Sequence, residues 1–241
     1  MDTTFTWQTE HLEVTLAICL LTFGFLAFHF FYLPTNPVGT YLIQKYGKEE
    51  GHLRHILLRR MIGVLVYGIL PAIVLLSFTP YTLADYGLYF AWHPDMLYWI
   101  LGLTIVMFFL TRSTAKQAES LAIYPEIRLP VWDNRILFKS VFTWLLYFVA
   151  YELLYRGFLL FACVRAIGVW PAIAINCAFY AITHIPKGEL EAIGAIPLGF
   201  LMCLMTLQTG TIWLALFAHM MLSMMNLYFS LKHHPEISYQ A

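Results

Sequence analysis

Charge is what this chain has least of. Only 12% of its 241 residues are Asp, Glu, Lys or Arg, against about 25% in a soluble domain. Such a chain has too little polar surface to cover itself in water, so lipid must do part of that work. The formal net charge is zero and no basic stripe appears, which argues against nucleic acid as a partner. Cysteine is scarce too. Cys19, Cys163, Cys177 and Cys203 all fall in apolar runs and show no metal-type spacing, so they read as small buried hydrophobes and not as a disulfide framework. The opening stretch, MDTTFTWQTEHLEVT, has acids but no Lys or Arg. It lacks the basic start of a cleavable signal peptide. No repeat and no low-complexity tract is visible.

What the chain has in plenty is apolar length: 60% of it is hydrophobic and its mean hydropathy is +0.69. Apolar runs of about 20 residues read as transmembrane helices. Seven are expected, at Val14–Leu33, Met61–Phe78, Met96–Leu110, Ile136–Val164, Trp170–His184, Ala192–Leu207 and Thr211–Leu231. The fold class is therefore all-α, a polytopic transmembrane bundle. The third run is short for a span. The fourth is long, on the order of 40 Å, so it must tilt or bend or be two elements run together.

The loops predict orientation. Lys45, Lys48, Arg54, Arg59 and Arg60 lie between the first and second runs, and Arg112, Lys116, Arg128 and Arg135 between the third and fourth. The N-terminus and the 79–95 loop have no Lys or Arg. Basic loops stay cytoplasmic. This places the N-terminus outside and the C-terminus inside, in the cell (inner) membrane. The alternation also puts Arg165 outside, where nothing in the count explains it. The 111–135 segment, with YPEIRLPVWDN, reads as an ordered or surface-lying connector. It divides the chain into an N-terminal three-helix part, 1–135, a four-helix core, 136–231, and a polar tail, 232–241, that includes His233 and His234. Lys187, Glu189 and Glu191 read as a solvated loop. His29 stands alone in the first run and reads as a satisfied polar contact.

The polar residues inside the runs are few. The fourth has Glu152 and Arg156, four apart and so on one helix face. The fifth has Asn176 and ends at His184. The seventh has His219, Ser223 and Asn226, spaced as one stripe. Taken singly, each has a structural reading: a self-neutralising pair, or interhelical hydrogen bonds. Taken together, a carboxylate and two histidines can activate a water and stabilise an oxyanion. The same three, Glu152, His184 and His219, would also suit a divalent metal such as zinc with an open position. Composition does not choose between the two.

At these residues the chain resembles the CAAX protease and bacteriocin-processing family of intramembrane proteases, also called CPBP or Abi. The family's first motif, a pair of glutamates with an arginine downstream, is matched by YELLYR, which contains Tyr151, Glu152 and Arg156. Its second, an aromatic four residues before a histidine, is matched by YAITH, with Tyr180 and His184. Its third, a histidine with an asparagine or aspartate four residues on, is matched in part by HMMLS, with His219 and Ser223. The similarity covers about Lys139 to Asn226. It implies that Glu152, His184 and His219 act on a water that cleaves a peptide bond in a membrane-bound or lipidated substrate, with Arg156, Tyr151 and Tyr180 in support. Two positions depart from the pattern. Tyr151 stands where the first glutamate is expected, and Glu152 lies about 100° further round the helix, so it takes over only with a rotation or a bulge. Ser223 stands where an asparagine is expected, with Asn226 three residues beyond. These departures support an alternative, a non-catalytic member that binds a membrane partner or peptide. A third reading, a proton or solute path, lacks the inverted repeat common in transporters.

Overall fold

The computed structural model describes residues 8–33 and 35–240. The first residues of the stretch read as lacking a signal peptide lie outside the described residues. Among the described residues, seven helices are long and apolar enough to cross a membrane: Thr9–Phe31, Lys48–Phe78, Asp95–Thr114, Asn134–Ile167, Val169–Lys187, Glu189–Thr209 and Trp213–His233. The chain is an all-α, polytopic membrane protein, as the runs implied. Many large apolar side chains, such as Phe78, Val106, Phe109 and Phe138, stand out from these spans. Such a surface is stable against hydrocarbon and not against water. The fourth span is the most enclosed: 72% of its apolar window is buried, against 17–44% in the other six.

Several boundaries differ from the apolar runs. The third span is of full length because Thr111, Ser113 and Thr114 turn their hydroxyls back onto carbonyls of their own helix. That keeps polar residues helical inside lipid. The second span starts at Lys48, so Arg59 and Arg60 lie in a helix and are buried, not in a loop. The fourth is one element, not two. Glu189 and Glu191 open the sixth span instead of lying in a loop, and Lys187 pairs with Glu191 at 3.8 Å. All four cysteines are free. Cys163, Cys177 and Cys203 are buried as expected, but Cys19 is exposed, on a thinly covered span where lipid is its natural neighbour.

The chain divides into two compact units. The first comprises the chain up to Leu26, Leu65–Ala91 and Ala150–Ala215. At one of its ends Arg165 meets the buried Glu13 through two hydrogen bonds. Its guanidinium lies 4.1 Å over the Tyr81 ring and 5.1 Å over Tyr86. The arginine that the charge count left unexplained is thus neutralised by a carboxylate from the first span.

The second unit comprises Ala27–Val64, Trp92–Val149 and the chain from Leu216 onward. Its connector is ordered, as expected. Glu126 accepts from both Arg59 and Arg60. Arg60 also donates to the Ser140 carbonyl and the Thr143 hydroxyl, each at 3.0 Å, and lies 4.5 Å over Trp144. A buried guanidinium needs this many partners to offset its lost hydration. The tail is docked. Ser238–Tyr239 (β2) pairs in parallel with Val131–Trp132 (β1), and Arg128 bonds His234 at 2.8 Å.

Candidate functional site

A π-helical segment, Leu153–Leu159, begins directly after Glu152. Wide turns of this kind leave carbonyls that neighbours must satisfy, and they recur at functional sites. Here the Tyr155 carbonyl accepts from Leu160 N–H and from the buried Asn176 amide at 2.6 Å. Gly157 allows the close approach: a Cβ there would lie 2.9 Å from the Tyr86 carbonyl. A second π-helical segment, Leu65–Ile69, precedes Pro71, which lacks the N–H that the Tyr67 carbonyl would take in an α-helix. The Tyr67 ring meets Tyr151 edge-on at 5.6 Å.

The wide turn sets how Glu152 and Arg156 meet. Both are fully buried, and Glu152 Oε2 lies 3.5 Å from Arg156 Nη1. That is an ion pair, longer than a hydrogen bond. Arg156 Nη2 donates to Met202 Sδ at 3.2 Å, a weak acceptor. Its Nε and Nη1 make no hydrogen bond among the described residues. The guanidinium instead lies 4.2 Å over the Tyr180 ring, where ring and cation attract.

Tyr180 stands between the charge pair and the histidine. Its ring centroid is 4.5 Å from that of His184, and its carbonyl bonds His184 Nδ1 at 2.7 Å. A carbonyl only accepts, so Nδ1 carries the proton and Nε2 keeps the basic lone pair. His184 is half-buried, at the end of its helix. Thr183 donates to the same carbonyl at 2.9 Å, which leaves Tyr151 to donate to Thr183 Oγ1 at 3.0 Å. The tyrosine in place of a glutamate therefore ties the fourth span to the turn that holds His184.

Glu152, Arg156, Tyr151, Tyr180 and His184 thus form one cluster in the first unit. His219, Ser223 and Asn226 belong to the second. There His219 is nearly buried, 6% exposed, and its ring lies 4.1 Å from that of Phe148. Ser223 and Asn226 follow on the same continuous helix, both half-buried. Among the described residues no group of three or more His, Cys, Asp or Glu is placed to hold a metal ion.

Three residues near the first cluster escaped the motif reading. Asn176 had a visible signal, an amide in an apolar run. Thr183 had none apart from its place in the histidine motif. Gly199 is silent in sequence, yet a Cβ there would meet Tyr180 Cδ1 at 3.0 Å, so its missing side chain is what lets Tyr180 sit over Arg156.

Residues 133–225 match the family model described as type II CAAX prenyl endopeptidase Rce1-like. Neither a curated protein nor a solved structure matches the chain significantly. The matched stretch holds all seven residues named in the three motifs and ends one residue short of Asn226. Residues 133–225 are thus similar to the CAAX-protease (CPBP) family of membrane proteins.

Proposed function

We propose that this protein is an intramembrane endopeptidase that hydrolyses a peptide bond in a membrane-bound or lipidated substrate. One observation supports it above the rest: a glutamate–arginine pair at 0% exposure, opening a π-helical turn and linked through the Tyr180 ring to a histidine of fixed tautomer. A purely structural ion pair has no need of such a turn, and replacing one with apolar residues is often neutral or stabilising. In the proposed reaction Glu152, paired with Arg156, takes a proton from water, and His184 orients that water through Nε2. The hydroxide adds to the scissile carbonyl carbon. On the order of the motifs, His219 with Ser223 or Asn226 donates to the oxyanion. The carbon–nitrogen bond then breaks, the proton passes to the leaving amine, and a new carboxylate remains. From the basic loops we also propose that the N-terminus lies outside and the C-terminus inside.

The test compares membrane-protein termini by mass spectrometry in cells expressing wild type, Glu152→Gln or His184→Ala at matched levels. The expected result is a new terminus with wild type alone. Equal termini in all three, with all three folded by thermal melting, would overturn the reading. The second reading, a non-catalytic binder, is favoured by the Tyr151–Thr183 bond, which commits the expected glutamate position to scaffolding. It predicts a co-purifying partner retained by His184→Ala. Orientation is read separately. A cysteine at Ser113 should label with an impermeant maleimide only from inside, and one at Tyr89 only from outside.

A further inference from the structure

Arg112, Lys116, Phe229, Lys232 and His233 line a cavity of about 350 Å3 within the second unit. The size falls in the range of small-molecule sites, about 300–1,000 Å3. Phe229 gives it an apolar wall, packed 5.8 Å from Phe108 of the third span and stacked parallel on the His233 ring. Its other walls are cationic. Arg54, Arg59, Arg60, Arg156, Arg165 and Lys187 each meet a carboxylate. Arg112, Lys116 and Lys232 have no ion-pair partner among the described residues. Arg112 and Lys232 also sit in the last turns of their helices, where the carbonyl ends favour a cation. One cation at each end would serve that purpose. Three around one concavity leave positive charge uncompensated.

We propose that this cavity binds the phosphate of an anionic phospholipid headgroup. Both helices that build it end here, where a span leaves the hydrocarbon, and basic pockets between spans at that depth take phosphate-bearing headgroups. The three cations neutralise the phosphate, and Phe229 packs against the glycerol and the first carbons of the chains. The inference rests on the membrane setting alone and is independent of any proteolysis.

The test uses the full chain in detergent and native mass spectrometry with equal amounts of phosphatidylglycerol and phosphatidylcholine. Wild type should retain phosphatidylglycerol preferentially. The triple variant Arg112→Gln, Lys116→Gln, Lys232→Gln should lose that preference by at least about tenfold, as the removal of three charges near a headgroup implies. The charge-conserving pair Arg112→Lys, Lys232→Arg should keep it, as should Lys45→Gln with Lys48→Gln, which removes charge elsewhere. Equal retention of both lipids by wild type would overturn the proposal, and so would an undiminished preference in a folded triple variant. Inorganic phosphate is added last. Release of the lipid at low millimolar phosphate would assign the site to free phosphate, and retention would assign it to the lipid headgroup.

Discussion

Asn176 donates its amide to the Tyr155 carbonyl at 2.6 Å, and its own oxygen accepts from Cys203 Sγ at 3.3 Å. One side chain of the fifth span therefore holds the wide turn of the fourth and touches the sixth. Asn176→Ala leaves a buried carbonyl with one partner fewer, at a cost of about 1–3 kcal/mol. The expected result is a lower melting temperature. Asn176→Asp, which loses the N–H but keeps the size, should be at least as damaging. A melting temperature unchanged in both would show that the amide does not hold the turn.

Removing either charge of the Glu152–Arg156 pair strands the other in a dry interior. Arg156→Met should destabilise by about 3–5 kcal/mol. Adding Glu152→Gln to it should restore part of the loss, because no charge then remains buried. A double-mutant cycle of melting measurements checks this. Strictly additive losses would show that the two side chains do not interact.

Gly199→Ala tests packing at the charge pair without touching a titrating group. Its methyl would press on Tyr180 at 3.0 Å, and overpacking of this kind costs about 1–3 kcal/mol. Tyr180 carries the His184 contact, so cleavage of the substrate found by terminus analysis should fall further than stability does. Equal and small changes in both would detach Tyr180 from the reaction.

The docked tail should respond to pH. Burial, then the neighbouring Arg128 guanidinium, lowers the His234 pKa from its ordinary 6.5, while Glu236 acts the other way. A histidine depressed in the folded state supports folding above its ordinary pKa and loses that support as pH falls towards its folded value. Protection of the Ser238 and Gln240 amides, which bond the connector, relative to their intrinsic exchange rates should therefore fall below about pH 6.5. His234→Gln should remove the dependence. An exchange profile that is the same in wild type and variant would count against it.

How much of this was legible in the sequence varies by residue. The spans were, since apolar length is a local property that lipid selects directly. Their ends were not, because Arg59 and Arg60 look like loop residues until Glu126, more than sixty positions away, is seen to neutralise them. Glu152, Arg156, Tyr180 and His184 were found by motif spacing, and they share one cluster. The wide turn that relates them was invisible. It depends on Asn176 and on the Tyr86 backbone facing Gly157, and Tyr180 lies over Arg156 because Gly199 has no side chain. Tyr151 looked like the loss of a catalytic carboxylate. Its hydroxyl bond to Thr183 gives it a positive task that spacing alone does not express.

The Arg165–Glu13 pair also bears on biosynthesis. Glu13 leaves the ribosome about 150 residues before its partner, so the first span has to wait in the membrane with an acid that has nothing yet to bind. When the fourth span enters, its arginine finds that acid already in place, and the cost of seating a guanidinium at the end of a span falls. Insertion of the fourth span is therefore tied to the history of the first. A chain shorn of its first span would have to insert its fourth with Arg165 lacking the Glu13 carboxylate.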